Sequence, residues 1–174
     1  MDIAFIDLEQ QQARIRDKID AGLTAVLNHG AYIMGPEVGA LESRLSDWTK
    51  ATHNISCSSG TDALLLALRG LELQPGQGVI VPSFTFAASA EVMPTMGAIP
   101  IFAEVECDGF NLDPNKLKAA LAAGQAANVD VVGIIGVGLF GQPANYDAIR
   151  TFASAHDLWL IDDAAQSFGA RWQG

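Results

Sequence analysis

The stretch 129–137 is apolar and rich in β-branched residues, and it constrains the fold of this chain more than any other segment. Side chains of this kind on both sides of a strand indicate that both faces are buried, as in a parallel sheet covered by helices. Other short apolar segments alternate with segments of helical spacing, and they lie at residues 79–81, 99–105 and 158–161. This alternation predicts an α/β fold, a three-layer sandwich with a mainly parallel sheet between helices.

Helical patterns occupy the segments between these strands. They are predicted at residues 61–71, 84–96 and 146–156, and a further helix is predicted to start at Asp113-Pro114, where Asp is the cap. A short strand is predicted at residues 54–57. Residues 1–50 instead carry two amphipathic helical patterns, separated by a Gly- and Pro-containing loop at residues 29–36. We therefore divide the chain into an amino-terminal helical segment, 1–50, and a sheet-containing domain, 51–174.

Composition excludes several classes of function. The chain of 174 residues has a formal net charge of -10, which argues against nucleic acid or an anionic membrane as partner. It has neither an apolar run of transmembrane length nor a basic signal sequence at its start, so a cytoplasmic protein is expected. Cys57 and Cys107 form no CxxC pair and the three histidines lack ligand spacing, so no metal site is expected.

Two carboxylates and an amide follow the strand predicted at residues 158–161. They are Asp162, Asp163 and, after three small residues, Gln166. Because ligands bind at the carboxyl ends of parallel strands, an aspartate here is placed to face a cationic ring nitrogen, with the glutamine near another polar group. The alternative is that one of the aspartates only caps the next turn.

A second candidate site is the turn Ser58-Ser59-Gly60-Thr61-Asp62 between a short strand and a leucine-rich helix. The unpaired N–H groups and positive dipole of a helix N-terminus suit a phosphate, and Gly60 allows close approach of the backbone. The alternative is an ordinary N-cap with no ligand. No lysine follows the glycine, so this is not a Walker loop.

Aromatic side chains follow the strand at residues 79–81, where Phe84 and Phe86 are placed either to stack on a flat heterocycle or to pack in the core. A glycine-containing loop at residues 136–143 lies at the same predicted sheet edge. A turn that can bind phosphate, an aromatic side chain that can stack, an aspartate and a glutamine together match pyridoxal 5'-phosphate. The ring of this cofactor acts as an electron sink when its nitrogen is protonated.

Six motifs in this order resemble the DegT/DnrJ/EryC1/StrS family of fold-type I, pyridoxal phosphate-dependent sugar aminotransferases. The motifs are Phe5-Ile6-Asp7-Leu8, Ile33-Met34-Gly35-Pro36-Glu37-Val38, Ser59-Gly60-Thr61-Asp62-Ala63-Leu64, Val81-Pro82-Ser83-Phe84-Thr85-Phe86, Leu139-Phe140-Gly141-Gln142-Pro143 and Asp163-Ala164-Ala165-Gln166-Ser167-Phe168-Gly169. Within the family, the opening segment and residues 165–170 most resemble enzymes that aminate a UDP-linked 3-keto-N-acetylglucosaminuronate. Residues 51–174 would then be part of the cofactor-binding large domain.

The resemblance implies a role for each matching residue. The backbone amides that would hold the phosphate are those of Gly60, Thr61 and Asp62. Phe86 would stack on the pyridine ring, while Phe84 would pack beside it. Asp163 would pair with the ring nitrogen and Gln166 would contact the phenolic oxygen. Asp162 stands where the family usually has Glu, so no catalytic role is assigned to it.

The resemblance also implies partners and an activity. An enzyme of this family would take an amino group from glutamate and pass it to a keto-sugar nucleotide, in surface-polysaccharide or related sugar biosynthesis. Such an enzyme would be a homodimer with active sites shared between subunits. The loop at residues 29–36 would lie near that shared site.

Two departures from the family pattern stand out. The first concerns the lysine that forms the Schiff base, which would lie beyond Gly174. No catalytic residue is therefore assigned here, and the 174 residues alone are expected to be inactive. The sheet would also be incomplete and the small carboxy-terminal domain absent. Gly138 replaces the histidine or serine of many members. Two alternatives remain: a lysine-free regulatory or partner protein of the same fold that binds a cofactor or sugar, and a dinucleotide-binding module, which the absence of GxGxxG disfavours.

Overall fold

The computed structural model describes residues 5–172, so residues 1–4 and 173–174, at the ends of the two predicted segments, lie outside it. The chain separates into two compact units, one extending to Ser56 and the other starting at Cys57.

The first unit consists of three helices, α1 (Leu8–Ala13), α2 (Arg16–His29) and α3 (Pro36–Thr49). The Asp7 carboxylate caps α1 by accepting a hydrogen bond from the Gln10 N–H at 2.9 Å. Gly30 ends α2 in the left-handed conformation that glycine adopts without strain. None of the three helices contains a buried residue, so the apolar faces predicted for this segment are half-buried at most, as at Val26, Val38 and Leu45, and otherwise exposed.

The second unit alternates helices with strands, as the hydrophobic pattern predicts. Its elements are α4 (Gly60–Gly70), β1 (Gly78–Pro82), α5 (Ala88–Thr95), β2 (Ile99–Ala103), α6 (Leu117–Ala126), β3 (Val131–Val137), α7 (Tyr146–Ala155) and β4 (Trp159–Asp163). Short 3-10 turns lie at Pro114–Lys116 and Leu139–Gly141. Asp113 caps the first of these turns by accepting from the Asn115 N–H at 2.9 Å, which confirms the predicted helix start.

The four strands form one sheet in the order β2-β1-β3-β4, and every neighbouring pair is parallel. In the register, Ile80 pairs with both Ile101 and Ile134, and Val137 pairs with Asp163. The predicted α/β class with a parallel sheet is therefore confirmed.

Helices cover both faces of this sheet, which forms the middle of three layers. Val79, Val81, Ile135 and Val137 pack with residues of α4 and α5 in one core cluster. Ile80, Ile101 and Ile134 pack on the opposite face, together with residues of α6 and α7. Because successive side chains of a strand point to opposite faces, β1, β3 and β4 contribute to both clusters, whereas β2 contributes only to the second, through Ile101 and Ala103.

The ring of Trp159 lies across Gly133 and leaves no room for a side chain at that position. The two residues are register partners on β3 and β4, and a Cβ at position 133 would overlap the Trp159 indole. A glycine inside a strand often marks such a close approach. The indole thus takes the space of a missing side chain on the α4/α5 face.

Two of the predicted elements differ from those observed. The strand predicted at residues 54–57 is not formed, because this segment pairs with none of the described strands and an unpaired strand has no ladder to stabilise it. The helix predicted at residues 84–96 begins only at Ala88. Residues 83–87 form a series of bends and a turn after the end of β1, and this segment contributes to the site described next.

Candidate cofactor site

The connections that leave the carboxyl ends of β1 and β3 run to opposite sides of the sheet. After β1 the chain crosses to β2 on one side, whereas after β3 it crosses to β4 on the other side. The two connections leave neighbouring strands in opposite directions, which opens a crevice between them. In open α/β sheets such a switch point is the usual place for a ligand.

A cavity of about 200 Å³ lies at this point. Its lining comes from the start of α4, the turn after β1, the start of α5, and the segments at the ends of β3 and β4. The residues that line it are Gly60, Thr61, Leu64, Thr85, Phe86, Ala88, Ser89, Val137, Leu139, Asp163, Ala165 and Gln166. Five of the six predicted cofactor residues are among them. The sixth, Asp62, is not.

The N-terminus of α4 supplies the polar backbone groups of the cavity. Ser59 caps the helix, and its Oγ accepts from the Asp62 N–H at 3.1 Å. The N–H groups of Gly60 and Thr61 have no acceptor among the described residues. A Cβ added at Gly60 would meet nothing within 4 Å, so open space lies beside this backbone. These two amides, with the helix dipole, suit an anionic group.

Asp62 takes part in the cap rather than in the cavity. Its carboxylate accepts hydrogen bonds from the hydroxyls of Ser58 and Ser59, and these bonds lower the pKa of the Asp62 carboxyl. Because its N–H already donates to Ser59, Asp62 stabilises the turn that presents the amides of Gly60 and Thr61.

Asp163 is the last residue of β4, and its carboxylate faces the cavity. One oxygen, Oδ1, accepts from the backbone N–H of Ala165 at 3.2 Å. The other, Oδ2, accepts from the Ser89 hydroxyl at 2.9 Å. Each carboxylate oxygen thus has a donor, and each can accept a further hydrogen bond from a ligand. A protonated heterocyclic nitrogen is a donor of the right charge.

The side chain of Gln166 is oriented by a hydrogen bond to its carbonyl oxygen. The Gln166 Oε1 accepts from the backbone N–H of Phe140 at 2.7 Å, which leaves the Nε2 amide as a donor. A phenolate-type oxygen of a ligand would be a matching acceptor.

The loop after β3 is held in place by buried Asn111. Its Oδ1 accepts from the Leu139 N–H at 2.9 Å and its Nδ2 donates to the Gln142 carbonyl at 2.8 Å. Between these two points Phe140 adopts a positive φ of 55°, which is uncommon for a residue other than glycine. Asn111 and Gln166 together therefore fix the backbone of this loop at the cavity wall.

The two aromatic residues after β1 lie in different surroundings. Phe86 lines the cavity and is 69% exposed, so its ring has a free face. Phe84 instead packs with Phe110 and Phe140, at ring-centroid distances of 5.9 and 6.4 Å. Phe86 therefore has a ring face open to a flat ligand, whereas Phe84 packs with its aromatic neighbours.

Asp162 points to the opposite face of the sheet from Asp163. Its carboxylate accepts a short hydrogen bond from the Tyr146 hydroxyl at the start of α7. Partial desolvation raises the pKa of the Asp162 carboxyl. The hydrogen bond from Tyr146 acts in the opposite direction, and the nearby charge of Asp163 raises the pKa further. Burial first, and then Asp162, raise the pKa of Tyr146 well above its ordinary range. Asp162 is thus a structural partner of α7.

Gly138 also has a steric explanation. A Cβ at this position would overlap the Oγ of Ser167, which is itself buried. The serine after Gln166 thus occupies the space that a histidine or serine at position 138 would need.

Within residues 5–172, no three His, Cys, Asp or Glu side chains are grouped in a way that would bind a metal ion. The same residues include no helix with the length and hydropathy to cross a membrane. The lysines of the described residues, Lys18, Lys50, Lys116 and Lys118, are all exposed and none lines the cavity.

Comparison with known proteins agrees with this arrangement. The DegT/DnrJ/EryC1/StrS aminotransferase family matches residues 13–174. The chain belongs to this family.

Among curated members, the UDP-2-acetamido-2-deoxy-3-oxo-D-glucuronate aminotransferase of Pseudomonas aeruginosa is 49% identical over 172 residues, which are 99% of this chain and 46% of that protein. The chain therefore spans somewhat less than half the length of the curated relatives that it matches. The family predicted from the six motifs is confirmed, as is the resemblance to the enzymes that act on a 3-oxo glucuronate.

Solved structures of other proteins share the fold. A family member from Brucella abortus has a TM-score of 0.93 and 43% identity, covering 97% of this chain and 45% of that one. NtdA from Bacillus subtilis, solved with bound cofactor PMP, has a TM-score of 0.86 and 30% identity, covering 96% of this chain and 37% of that one. The type of cofactor expected from the sequence is thus present in a solved relative.

Sequence reasoning did not identify several residues of this site. Ser89 and Thr85 line the cavity, and Asn111 holds its wall. Thr85 lies within the motif at residues 81–86 but was given no role, and Ser89 and Asn111 carry no local signal that separates them from ordinary helix or loop residues. Ser89 and Asp163 are 74 positions apart, so only the folded chain reveals their hydrogen bond.

Proposed function

We propose that this chain forms the cofactor site of a pyridoxal phosphate-dependent sugar aminotransferase. The observation that carries the proposal is the cavity at the switch point, where Asp163 faces the same space as the free N–H groups of the α4 N-terminus. A cofactor with a cationic ring nitrogen at one end and a phosphate at the other matches both.

The donors and acceptors of the cavity fit the functional groups of this cofactor. The amides of Gly60 and Thr61 would hold the phosphate, with Asp62 stabilising their turn. Asp163, already oriented by the Ala165 N–H, would accept from the ring nitrogen, and the Nε2 of Gln166, left free by the bond from Phe140 to Oε1, would donate to the phenolic oxygen. Phe86, which lines the cavity, would stack on one face of the ring.

When bound, the cofactor supplies an electron sink for the bond changes at the carbon that carries the amino group. The chain contributes to this chemistry through charge. The Asp163 carboxylate favours the protonated form of the ring nitrogen, because an anion close to a cation lowers its free energy. Gln166 donates to an oxygen of negative character at the other side of the ring. Leu64, Val137 and Leu139 supply the apolar part of the wall and limit the entry of water.

We further propose that the substrate of the whole protein is a UDP-linked 3-keto-N-acetylglucosaminuronate and that glutamate is the amino donor. The 49% identity to the Pseudomonas aeruginosa enzyme supports the first part. The lysine that bonds covalently to the cofactor would be supplied by sequence following Gly174. The pathway would be one of surface-polysaccharide or related sugar biosynthesis in the cytoplasm.

A homodimer is part of the same proposal. Apolar side chains of α2 are exposed, including Leu23 at 59% and Leu27 at 69%. Contiguous exposed apolar surface of this kind marks an interaction site. A second copy of the protein is the partner expected for it.

The experiment uses the full-length protein that carries this sequence. Purified protein is incubated with pyridoxal phosphate, dialysed, and examined for cofactor absorbance; the keto-sugar nucleotide and glutamate are then added and the aminated sugar is measured. Retained cofactor and amino transfer would support the proposal. Absence of bound cofactor would refute it. Retained cofactor without amino transfer would favour a regulatory or sugar-binding protein of the same fold.

A further inference from the structure

The hydroxyl of Ser89 has an unusual partner for a helical serine. Helical Ser and Thr side chains commonly bond the carbonyl of the preceding turn. Thr95, on the same helix, donates to the Val92 carbonyl at 2.6 Å, and Thr151 on α7 donates to the Asp147 carbonyl at 2.7 Å. Ser89 instead donates across the cavity wall to the Oδ2 of Asp163 at 2.9 Å.

Burial makes this hydrogen bond costly to lose. Ser89 is 1% exposed, so its hydroxyl has no access to bulk water. A buried hydroxyl without a partner is destabilising, and a hydrogen bond to a charged acceptor is stronger than one between neutral groups. The bond between Ser89 and Asp163 is therefore maintained in the folded protein.

The hydroxyl of Thr85 extends this contact into a chain. Thr85 Oγ1 lies 3.4 Å from Ser89 Oγ, and both residues line the cavity. Because the Ser89 proton is directed at Asp163, its oxygen is left to accept from Thr85. Consecutive hydrogen bonds polarise one another, so the Thr85 hydroxyl strengthens the donor that faces Asp163.

Asp163 is thus held from two sides. The Ala165 N–H binds Oδ1 and the Ser89 hydroxyl binds Oδ2, so rotation of the carboxylate about its Cβ–Cγ bond would break one of these bonds. A charged group is most effective when it is oriented before the ligand arrives.

We propose that Ser89 is a positioning residue, which orients the Asp163 carboxylate toward the ring nitrogen of the cofactor through a Thr85–Ser89–Asp163 chain of hydrogen bonds. This inference rests on the proposed function. It assigns to α5 a role in setting the protonation of the cofactor in addition to its packing in the core.

The test compares full-length wild-type protein with the Ser89→Ala variant. The dissociation constant of pyridoxal phosphate is measured by fluorescence, and the protonation of the bound ring nitrogen is followed by NMR of 15N-labelled cofactor across pH. Removal of a hydrogen bond that orients a metal ligand commonly costs about 10- to 100-fold in affinity for the metal, and Ser89 stands in the same relation to Asp163. We expect Ser89→Ala to weaken binding about 10-fold by the same reasoning, with the ring nitrogen losing its proton at a lower pH.

Two further variants separate the hydroxyl from the shape of the side chain. Ser89→Thr retains the donor and is expected to restore the NMR titration, whereas Ser89→Cys retains the shape with a weaker donor and is expected to fall between wild type and Ser89→Ala. If Ser89→Ala fails to fold, the cysteine variant decides the question. A wild-type titration in Ser89→Cys would then overturn the proposal.

Ser83→Ala is the matched control. Ser83 Oγ donates to the Glu104 carboxylate at 3.2 Å, so this variant also removes a serine–carboxylate hydrogen bond, but outside the cavity lining. It should leave both readouts unchanged. An equal effect of Ser83→Ala and Ser89→Ala would refute a specific role for Ser89.

A double-mutant cycle shows whether Ser89 acts through Asp163. In an Asp163→Asn background, Ser89→Ala should add little to the loss of cofactor affinity, because the carboxylate is already gone. Fully additive losses would overturn the proposal. If wild-type protein binds no cofactor, the proposed function fails and the role of Ser89 with it. If wild type binds while Ser89→Ala matches it in both readouts, only the role of Ser89 fails.

Discussion

Asp162 and Asp163 are neighbours in sequence, yet they lie on opposite faces of the same sheet. Asp163 faces the α4/α5 side, where Ser89 and Ala165 bind its carboxylate at the cavity. Asp162 faces the α6/α7 side, where it accepts from Tyr146. The difference follows from the alternation of side chains along β4. One strand end thus supplies a group for ligand binding on one face and a group for helix attachment on the other.

Exchange of each carboxylate for an amide tests this comparison most directly. Asp163→Asn removes the charge opposite the ring nitrogen and should lower amino transfer by the full-length protein at least about 100-fold. Asp162→Asn keeps an acceptor for Tyr146 on the far face and should change the rate less than about 5-fold. The rates are measured with saturating pyridoxal phosphate. Similar losses in the two variants would contradict the assignment of separate roles to the two faces.

Gly133→Ala tests how far the α4/α5 face depends on close packing between β3 and β4. The added methyl would overlap the Trp159 indole, so we expect a loss of about 2 kcal/mol in the free energy of unfolding, as for other overpacked core positions. Urea denaturation provides the measurement. Gly70→Ala is the control, since a Cβ there meets nothing within 4 Å and should leave stability equal or slightly higher. Equal stability of Gly133→Ala and wild type would show that the indole moves aside freely.

Gln166→Glu distinguishes the two roles of the Gln166 side chain, as acceptor through Oε1 and as donor through Nε2. The carboxylate still accepts from the Phe140 N–H, so the loop should keep its conformation, but the donor to the phenolic oxygen is lost. We expect cofactor affinity to fall at least about 10-fold, because one hydrogen bond to a charged group is lost and the new carboxylate repels the phenolic oxygen. Fluorescence titration measures the affinity and thermal unfolding checks the fold. Unchanged affinity would mean that Gln166 serves only to hold the loop.

On the opposite face, the pH dependence of stability reports on Asp162. The folded state raises the pKa of this carboxyl, chiefly by partial desolvation. Its contribution to stability is therefore full below the unfolded pKa of about 4 and is lost as pH rises through the folded pKa. Asp162→Asn removes this dependence, so its stability relative to wild type should increase between pH 4 and neutrality. The free energy of unfolding of each protein is measured by urea denaturation. If the value for Asp162→Asn minus that for wild type decreased over this pH range, the pKa of Asp162 would not be raised in the folded state.

Tyr146→Phe sharpens the same measurement. The Tyr146 hydroxyl lowers the pKa of Asp162, so its removal should move the pH-dependent loss of stability to higher pH. At neutral pH the variant should lose about 1 kcal/mol of stability, a typical value for one hydrogen bond. Cofactor affinity should not change, because Tyr146 lies on the face away from the cavity. An affinity loss comparable to that of Gln166→Glu would mean that the two faces are coupled through β4.

Much of the architecture was predictable because it depends on local patterns. The apolar run at β3 indicated a strand buried on both faces, and Asp113 with Pro114 marked a helix start. The strand predicted at residues 54–57 was wrong because a strand also requires a neighbour, which local sequence does not specify. The start of α5 was misplaced for a related reason. Phe84 has helical spacing with later apolar residues, but its ring packs instead with Phe110 and Phe140.

The sequence by itself determined the family, the class of fold and the motifs at the strand ends, because these depend on residue types at fixed spacing. Only the tertiary structure decided which oxygen of Asp163 meets Ser89, which end of Gln166 is free, and that Asn111 holds the wall of the cavity. These contacts join segments 26 to 74 residues apart. Such contacts depend on strand order and on the face to which each side chain points, and a linear pattern specifies neither before the sheet is assembled.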